Sequence, residues 1–239
     1  MSKKTLGILQ TGRTPEELLT RYPDYNQLFV DLLGEESFHY RHWPVLDDEL
    51  PASVDDADAW LITGSRHGAY EDHSWIPPLE QFIRDVHAVG APMVGICFGH
   101  QIIAKAMGGR VEKFTGGWSV GRAEYRLDAG IFGTDPESHT ALMAFHQDQV
   151  MDLPDGARNI GSSDFCKHAA VLYGTNMLTI QPHPEFDKAF VGGLLQARKS
   201  ILPEPVLQEA MARLDSPIQA DPIALTLKNV LNGKAVVVQ

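Results

Sequence analysis

The sequence predicts an α/β fold: an open, mostly parallel sheet with helices on both faces, an added antiparallel ribbon and a C-terminal helical extension. Three observations point there. Up to residue 109, short apolar runs alternate with longer amphipathic ones, and strands joined through helices make a parallel sheet covered on both sides. From about residue 110, strand-like pieces follow one another without long helices between them. The final 50 or so residues carry helical patterns only.

The elements follow in order. TLGILQ (5–10) is a first strand, and TPEELLTRYPDYNQLFVDLLG (14–34) has the acidic start and apolar spacing of helical segments, bent or broken at Pro23. SFHYRHWPV (37–45) and ADAWLITGS (57–65) supply the second and third strands, and SWIPPLEQFIRDVHAVG (74–90) a helix stopped at Gly90. APMVGIC (91–97) is the next strand and FGHQIIAKAMGG (98–109) the next helix. RVEKF, WSVGRAEYRL and ALMAF form the ribbon. KHAAVLYGTNMLTIQPHPEF (167–186) is a hairpin about Gly174-Thr175-Asn176, because two apolar runs flank a turn-forming triplet. Three helices complete the chain: 188–200, 203–214 and 222–233, the last two opening on proline and the final one closing on Gly233.

Composition removes several classes of function. The net charge is -11 and Lys/Arg are not clustered, so a nucleic-acid partner is not expected. No apolar stretch is long enough to span a bilayer, and MSKKTLGILQTG lacks the apolar run and cleavage site of a secretory signal; a cytoplasmic protein without membrane partners is expected. The two cysteines, Cys97 and Cys166, belong to no C-x-x-C pair, which leaves zinc-ribbon and redox-pair readings without support. The 239 residues show no repeat or linker and suit a single domain, with a core over about 5–190 and a helical extension over about 190–239.

The chemistry centres on MVGICFGHQ (93–101). Strand MVGI runs into Cys97, and Gly99 lets the backbone turn sharply into the helix carrying Gln101. This is the layout of a nucleophile elbow, which exposes a side chain at the carboxyl end of a strand. The helix N-terminus favours thiolate over thiol, and the Phe98 N–H can face a developing oxyanion. A buried structural cysteine would be the ordinary reading of a lone Cys in an apolar run, but it needs neither Gly95 nor Gly99.

A thiol nucleophile needs a base, and ten histidines are available. His100 is too local, while His39 and His42 lie three apart in a strand and face opposite sides. His183 follows the strand-like MLTIQP, and Glu185 stands two residues on, across Pro184. A carboxylate there can orient the imidazole and leave its other nitrogen to take the thiol proton. His-x-Glu alone is more often a polar strand end; Cys97 gives it weight.

GICFGHQ (95–101) followed by QPHPEF (181–186) resembles the paired signature of class I, or triad-type, glutamine amidotransferases. WLITGS (60–65), GGWSVGR (116–122) and FHQDQV (145–150) are similar to the family's oxyanion strand, a substrate-side segment and its His-x-Asp loop. Where ammonia-channelling synthases carry Gly-Gly-Pro, this chain has TGSRHGAYED (63–72), as in the stand-alone, GMP-synthase-like and γ-glutamyl-peptidase-like branch.

The resemblance implies an open α/β sheet and hydrolysis of a γ-glutamyl amide through a thioester. It assigns Cys97 as nucleophile, His183 as proton shuttle and Glu185 as its orienter, with the backbone N–H groups of Ser65 and Phe98 as oxyanion donors. Gln101 would help hold the substrate. Val120 and the segment His146, Gln147 and Asp148 would meet its α-amino-acid end. No cofactor and no metal are implied.

The chain has no G-x-x-x-x-G-K-[ST] loop with which to activate an acceptor by ATP. Three readings stay open: a stand-alone hydrolase of glutamine or another small γ-glutamyl compound, an ammonia-donor subunit for a separate synthetase, and a catalytically silent binding or regulatory protein. Oligomeric state and the role of the C-terminal helices are not fixed by the sequence. Trp43, Trp60, Trp75 and Trp118 are read as core or pocket-rim packing, Cys166 as a small buried side chain, and Glu71-Asp72-His73 as solvated polar residues rather than metal ligands.

Overall fold

The computed structural model describes residues 3–236. Eleven strands and seven α-helices alternate through the first half of the chain and then give way to consecutive strands, among these described residues. The first strand, β1 (Thr5–Leu9), is followed by a 3-10 turn at Glu16–Leu18 and helix α1 (Tyr25–Leu33). Pro23 separates the two, and Asp24 caps α1 by accepting from the Tyr25 N–H. Then come β2 (His39–Trp43), β3 (Ala59–Ile62), α2 (Ile76–Val89), β4 (Met93–Ile96) and α3 (Phe98–Ala106). The second half holds β5 (Arg110–Lys113), β6 (Ser119–Leu127), the short α4 (Ala129–Phe132), β7 (Thr140–His146), β8 (Asp148–Asp152), β9 (Ala157–Ser162), β10 (Ala170–Tyr173) and β11 (Met177–Ile180). Helices α5 (Lys188–Ala197), α6 (Glu204–Arg213) and α7 (Ala220–Leu231) end the described chain.

Nine strands form one sheet in the order β2-β1-β3-β4-β11-β10-β9-β6-β7, and β5 pairs with β8 in a separate two-stranded sheet. From β2 to β11 all neighbours are parallel; from β11 to β7 all are antiparallel. The expected hairpin is present, with Gly174 at a positive φ of 61° in its turn. It joins the two halves of the sheet, so the ribbon continues the sheet rather than decorating an edge.

Two strands had no clear sequence signal. ARNIGS carries too few apolar residues to read as a strand, yet β9 is held between β10 and β6 by their ladders. DQVMD, expected to lie in a loop, becomes β8 because Val150 and Val111 face one another across the β5–β8 pair and are both buried.

Side chains of each central strand alternate between two cores. Leu6, Ile8, Leu61, Val94, Ile96 and Leu178 pack with α1 and α7 through Phe29, Leu33, Ile223 and Leu227. Leu9, Trp60, Ile62 and Met93 face α2 and α3 through Leu79, Phe82, Ile83 and Ile103. The last helix therefore covers a sheet face, an outcome the sequence left open. Helices α5 and α6 build a third cluster over β6 and β7, around Met143, Phe190, Leu194 and Ala210.

The strand-to-helix junction depends on close backbone approach. A Cβ on Gly95 would lie 2.5 Å from the Gly99 oxygen, and one on Gly99 would lie 2.4 Å from the Ile62 oxygen. Neither separation is possible, so both glycines are required for α3 to start directly beneath β3 and β4.

Candidate active site

Cys97 sits between β4 and α3 with φ 52° and ψ -99°, and it is one of two non-glycine residues at positive φ among those described. Such a conformation costs on the order of 1–3 kcal/mol and persists only where its surroundings enforce it. Here the enforcement is a set of backbone bonds: Cys97 N–H donates to Ile180 O at 2.9 Å, Gly99 N–H to Thr63 O at 3.2 Å, and Gln101 N–H to Cys97 O at 3.1 Å. These leave the Phe98 N–H, at the first position of the helix, without an acceptor among the described residues. The side chain of Cys97 reaches a cleft of about 310 Å³.

His183 reaches the same cleft from the loop after β11, the parallel neighbour of β4. Its N–H donates to Met143 O at 2.8 Å, which pins the loop to β7. Its Nδ1 lies 2.7 Å from Glu185 Oε1, and the two side chains are only 3% and 1% exposed. Burial alone would pull this imidazole pKa down; the adjoining Glu185 carboxylate and the Cys97 thiol group outweigh it and lift the value to about 10. Phe186 covers one face of the ring, with centroids 4.0 Å apart and planes within 5°.

Gly64 fills the remaining space. A Cβ there would stand 2.9 Å from His183 Cε1 and 3.8 Å from Cys97 Cβ. The Gly64 carbonyl accepts from the Thr63 hydroxyl at 3.0 Å, and the Thr11 hydroxyl, whose single hydrogen has Thr63 O at 2.9 Å as its nearer acceptor, stands 3.2 Å away. The Gly64 carbonyl and the Ser65 N–H belong to one planar peptide group, so fixing the first fixes the direction of the second. Ser65 lines the cleft beside Cys97, and its N–H has no acceptor among the described residues.

The sequence-derived substrate residues fare unequally. Gln101, His146, Gln147 and Asp148 all line the cleft. Gln101 spends both hydrogens of its amide, on Asp148 O at 2.8 Å and Gln181 Oε1 at 3.1 Å, so its own oxygen is the group left to receive a donor. His146 is kept neutral by burial and, secondarily, by the charge of His183, its pKa falling to about 3. Asp148 has its pKa raised by burial and accepts from the Tyr70 hydroxyl at 3.2 Å. Gln147 donates to Phe114 O.

Val120 does not join them. It lines a separate cleft against α6 and not the one that holds Cys97; Trp118, two residues earlier, lines both. Cys166 is buried with its thiol pKa pushed up to about 12 by burial, in keeping with a packing role. Thr11, Thr63, Gly64 and Phe186 were not singled out by the sequence; Gly64 and Phe186 lie within motifs already quoted, whereas Thr11 gave no signal.

The family described as "Glutamine amidotransferase class-I" matches residues 27–192. The chain belongs to the class-I glutamine amidotransferase family. It is accordingly a cysteine-dependent hydrolase of the glutamine amidotransferase type. It is 33% identical over 175 residues to gamma-glutamyl peptidase 5 of Arabidopsis thaliana, covering 70% of each chain. It is 25% identical over 229 residues to the glutamine-hydrolysing GMP synthase of Vibrio vulnificus, covering 89% of this chain and 42% of that one. A glutamine amidotransferase structure from Methylobacillus flagellatus superposes with a TM-score of 0.75 at 21% identity, covering 98% of this chain and 96% of the other, and shares the fold. No helix among the described residues is long and apolar enough to cross a membrane.

Proposed function

We propose that this amidotransferase-type protein hydrolyses the γ-amide of glutamine or a related small γ-glutamyl compound through a thioester on Cys97. The observation that carries the reading is the meeting of an elbow thiol with a buried His183–Glu185 pair, 2.7 Å between Nδ1 and Oε1, at one cleft. With Nδ1 committed to Glu185, Nε2 is the nitrogen free to exchange a proton with the thiol. The thiolate attacks the γ-carbonyl carbon, and the oxyanion is received by the N–H groups of Phe98 and Ser65. His183 gives its proton to the leaving nitrogen as the C–N bond breaks. Water then adds to the thioester, losing a proton to His183, and glutamate departs as the thiol is restored.

Gln101 Oε1, His146, Gln147 and Asp148 would meet the α-amino-acid end. The cleft is also lined by Trp118, Phe145, Leu194 and Ile201, with the cations Arg66, Lys113 and Arg198. Apolar walls set with cations in a chain of net charge -11 suit an acidic leaving group with an apolar part better than ammonia alone.

A second reading is ammonia supply to a separate synthetase. It is favoured by the match to less than half of a GMP synthase, 42% of that chain. Glutamate release from glutamine and from γ-glutamyl dipeptides separates the two, with Cys97→Ser as control. Dipeptide turnover well above glutamine turnover supports the first; glutaminase activity that rises only with an added ATP-dependent synthetase supports the second. Wild-type protein inert to every substrate, alone and with a synthetase, would point to a silent binding protein.

A further inference from the structure

The loop between β3 and α2 brings together three side chains that the proposed hydrolysis does not use. His67 Nδ1 lies 3.1 Å from Glu71 Oε2, and His73 Nε2 lies 2.7 Å from the same oxygen. All three atoms fall within 4.8 Å of one another. The sequence showed only Glu71-Asp72-His73; it is the tight turn of residues 65–73 that returns His67 to the carboxylate.

We propose that His67, Glu71 and His73 bind a divalent transition ion of the zinc class at the mouth of the active-site cleft. Two imidazole nitrogens and one carboxylate oxygen are the donor set of three-ligand zinc sites, which keep a further position open. A tetrahedral ion with bonds of about 2.0–2.1 Å places its ligand atoms roughly 3.3 Å apart. The cluster reaches that by opening a few tenths of an ångström about Glu71 Oε2 and drawing the two imidazoles together. Nitrogen donors disfavour magnesium and calcium, which take oxygen.

The frame behind the donors is already built. Glu71 N–H donates to Gly68 O at 3.0 Å and His73 N–H to Glu71 O at 3.2 Å. The His73 ring stacks on Trp75, with centroids 5.6 Å apart and planes within 10°. His67 and Glu71 line the cleft, so an ion held by them borders it. His67 N–H also donates to Ser65 Oγ at 3.1 Å, so an ion held here is linked to the residue whose backbone faces Cys97.

The test is calorimetric titration of Zn²⁺ into the full chain carrying Cys97→Ala, which removes the thiol as a rival ligand. Parallel titrations use the same protein with His73→Ala or Glu71→Gln, and Mg²⁺ replaces Zn²⁺ in one arm. One Zn²⁺ per chain is expected, with affinity falling more than about tenfold in each variant, since even an outer-shell partner is commonly worth that much, and with no Mg²⁺ binding. Thermal melts check that the variants fold, and the near-isosteric Glu71→Gln keeps the comparison if His73→Ala does not. Absence of Zn²⁺ binding, or equal affinity in the variants, overturns the proposal. Neither result depends on turnover, so the hydrolase reading stands or falls separately.

Discussion

Phe186 lies flat against the imidazole of His183, 4.0 Å between centroids and 5° between planes, and closes one side of the base as Glu185 fixes its edge. The pair is three residues apart on one turn, so the loop carries its own support. Phe186→Leu keeps much of the apolar volume but loses the flat contact, worth about 0.5–1.5 kcal/mol beyond area burial. Turnover should fall about threefold to tenfold with KM little changed, measured by glutamate release at saturating substrate.

Gly64→Ala addresses the same ring at Cε1. Its Cβ would meet His183 Cε1 at 2.9 Å, and the imidazole would have to move. A misplacement approaching 1 Å costs about a hundredfold in rate. We expect a loss of that order in kcat with a melting temperature close to wild type; equal losses of activity and stability would instead mark a general packing defect.

Thr63 acts on the oxyanion side through the Gly64 peptide. Thr63→Val removes the 3.0 Å bond to Gly64 O. Because a whole oxyanion donor is worth about 10²–10³ in kcat, freeing its peptide plane should cost about tenfold, visible in kcat rather than KM. Thr63→Ser retains the hydroxyl and should restore most of the rate, an outcome a purely structural role for the side chain would not give.

The His183–Glu185 pair also shapes stability against pH. An imidazole raised from 6.5 to about 10 binds its proton more tightly in the folded state, so its contribution is complete below about pH 6.5 and is lost as pH rises through about 10. His100 and His146 act in the other direction. Burial, aided by neighbouring imidazoles, lowers both to about 3, so their contribution is present above about 6.5 and is lost as pH falls toward 3. Thermal melts should therefore decline on both sides of about pH 6.5. Glu185→Gln should flatten the alkaline limb alone; an unchanged alkaline slope would show that the pair is not coupled as described.

Much of this was legible in the chain. The alternation through residue 109, the hairpin at Gly174 and the breaks at Pro23 and Gly90 are local signals, and the folded elements follow them to within a few residues. The elbow at Cys97 and the His183–Glu185 spacing are local too, and so were visible before any geometry. What had no local signal was recruited from a distance. Polar β9 is a strand because β10 and β6 offer it hydrogen bonds, and α7 covers the sheet because its apolar stripe fits beside α1.

The sequence by itself determined which atoms the proposed chemistry uses, because a thiol at a strand end, an imidazole and a carboxylate are set by residue type and short spacing. The tertiary structure decided how they meet. Parallel pairing of β4 with β11 sets Cys97 and the His183 loop at the same sheet end, while β3 brings Gly64 and Ser65 beside them, separations of 32 to 119 residues that no window of sequence contains. The same folding carried Trp118 into the cleft and left Val120 out of it, and closed His67 onto Glu71 at the cleft that Cys97 also lines.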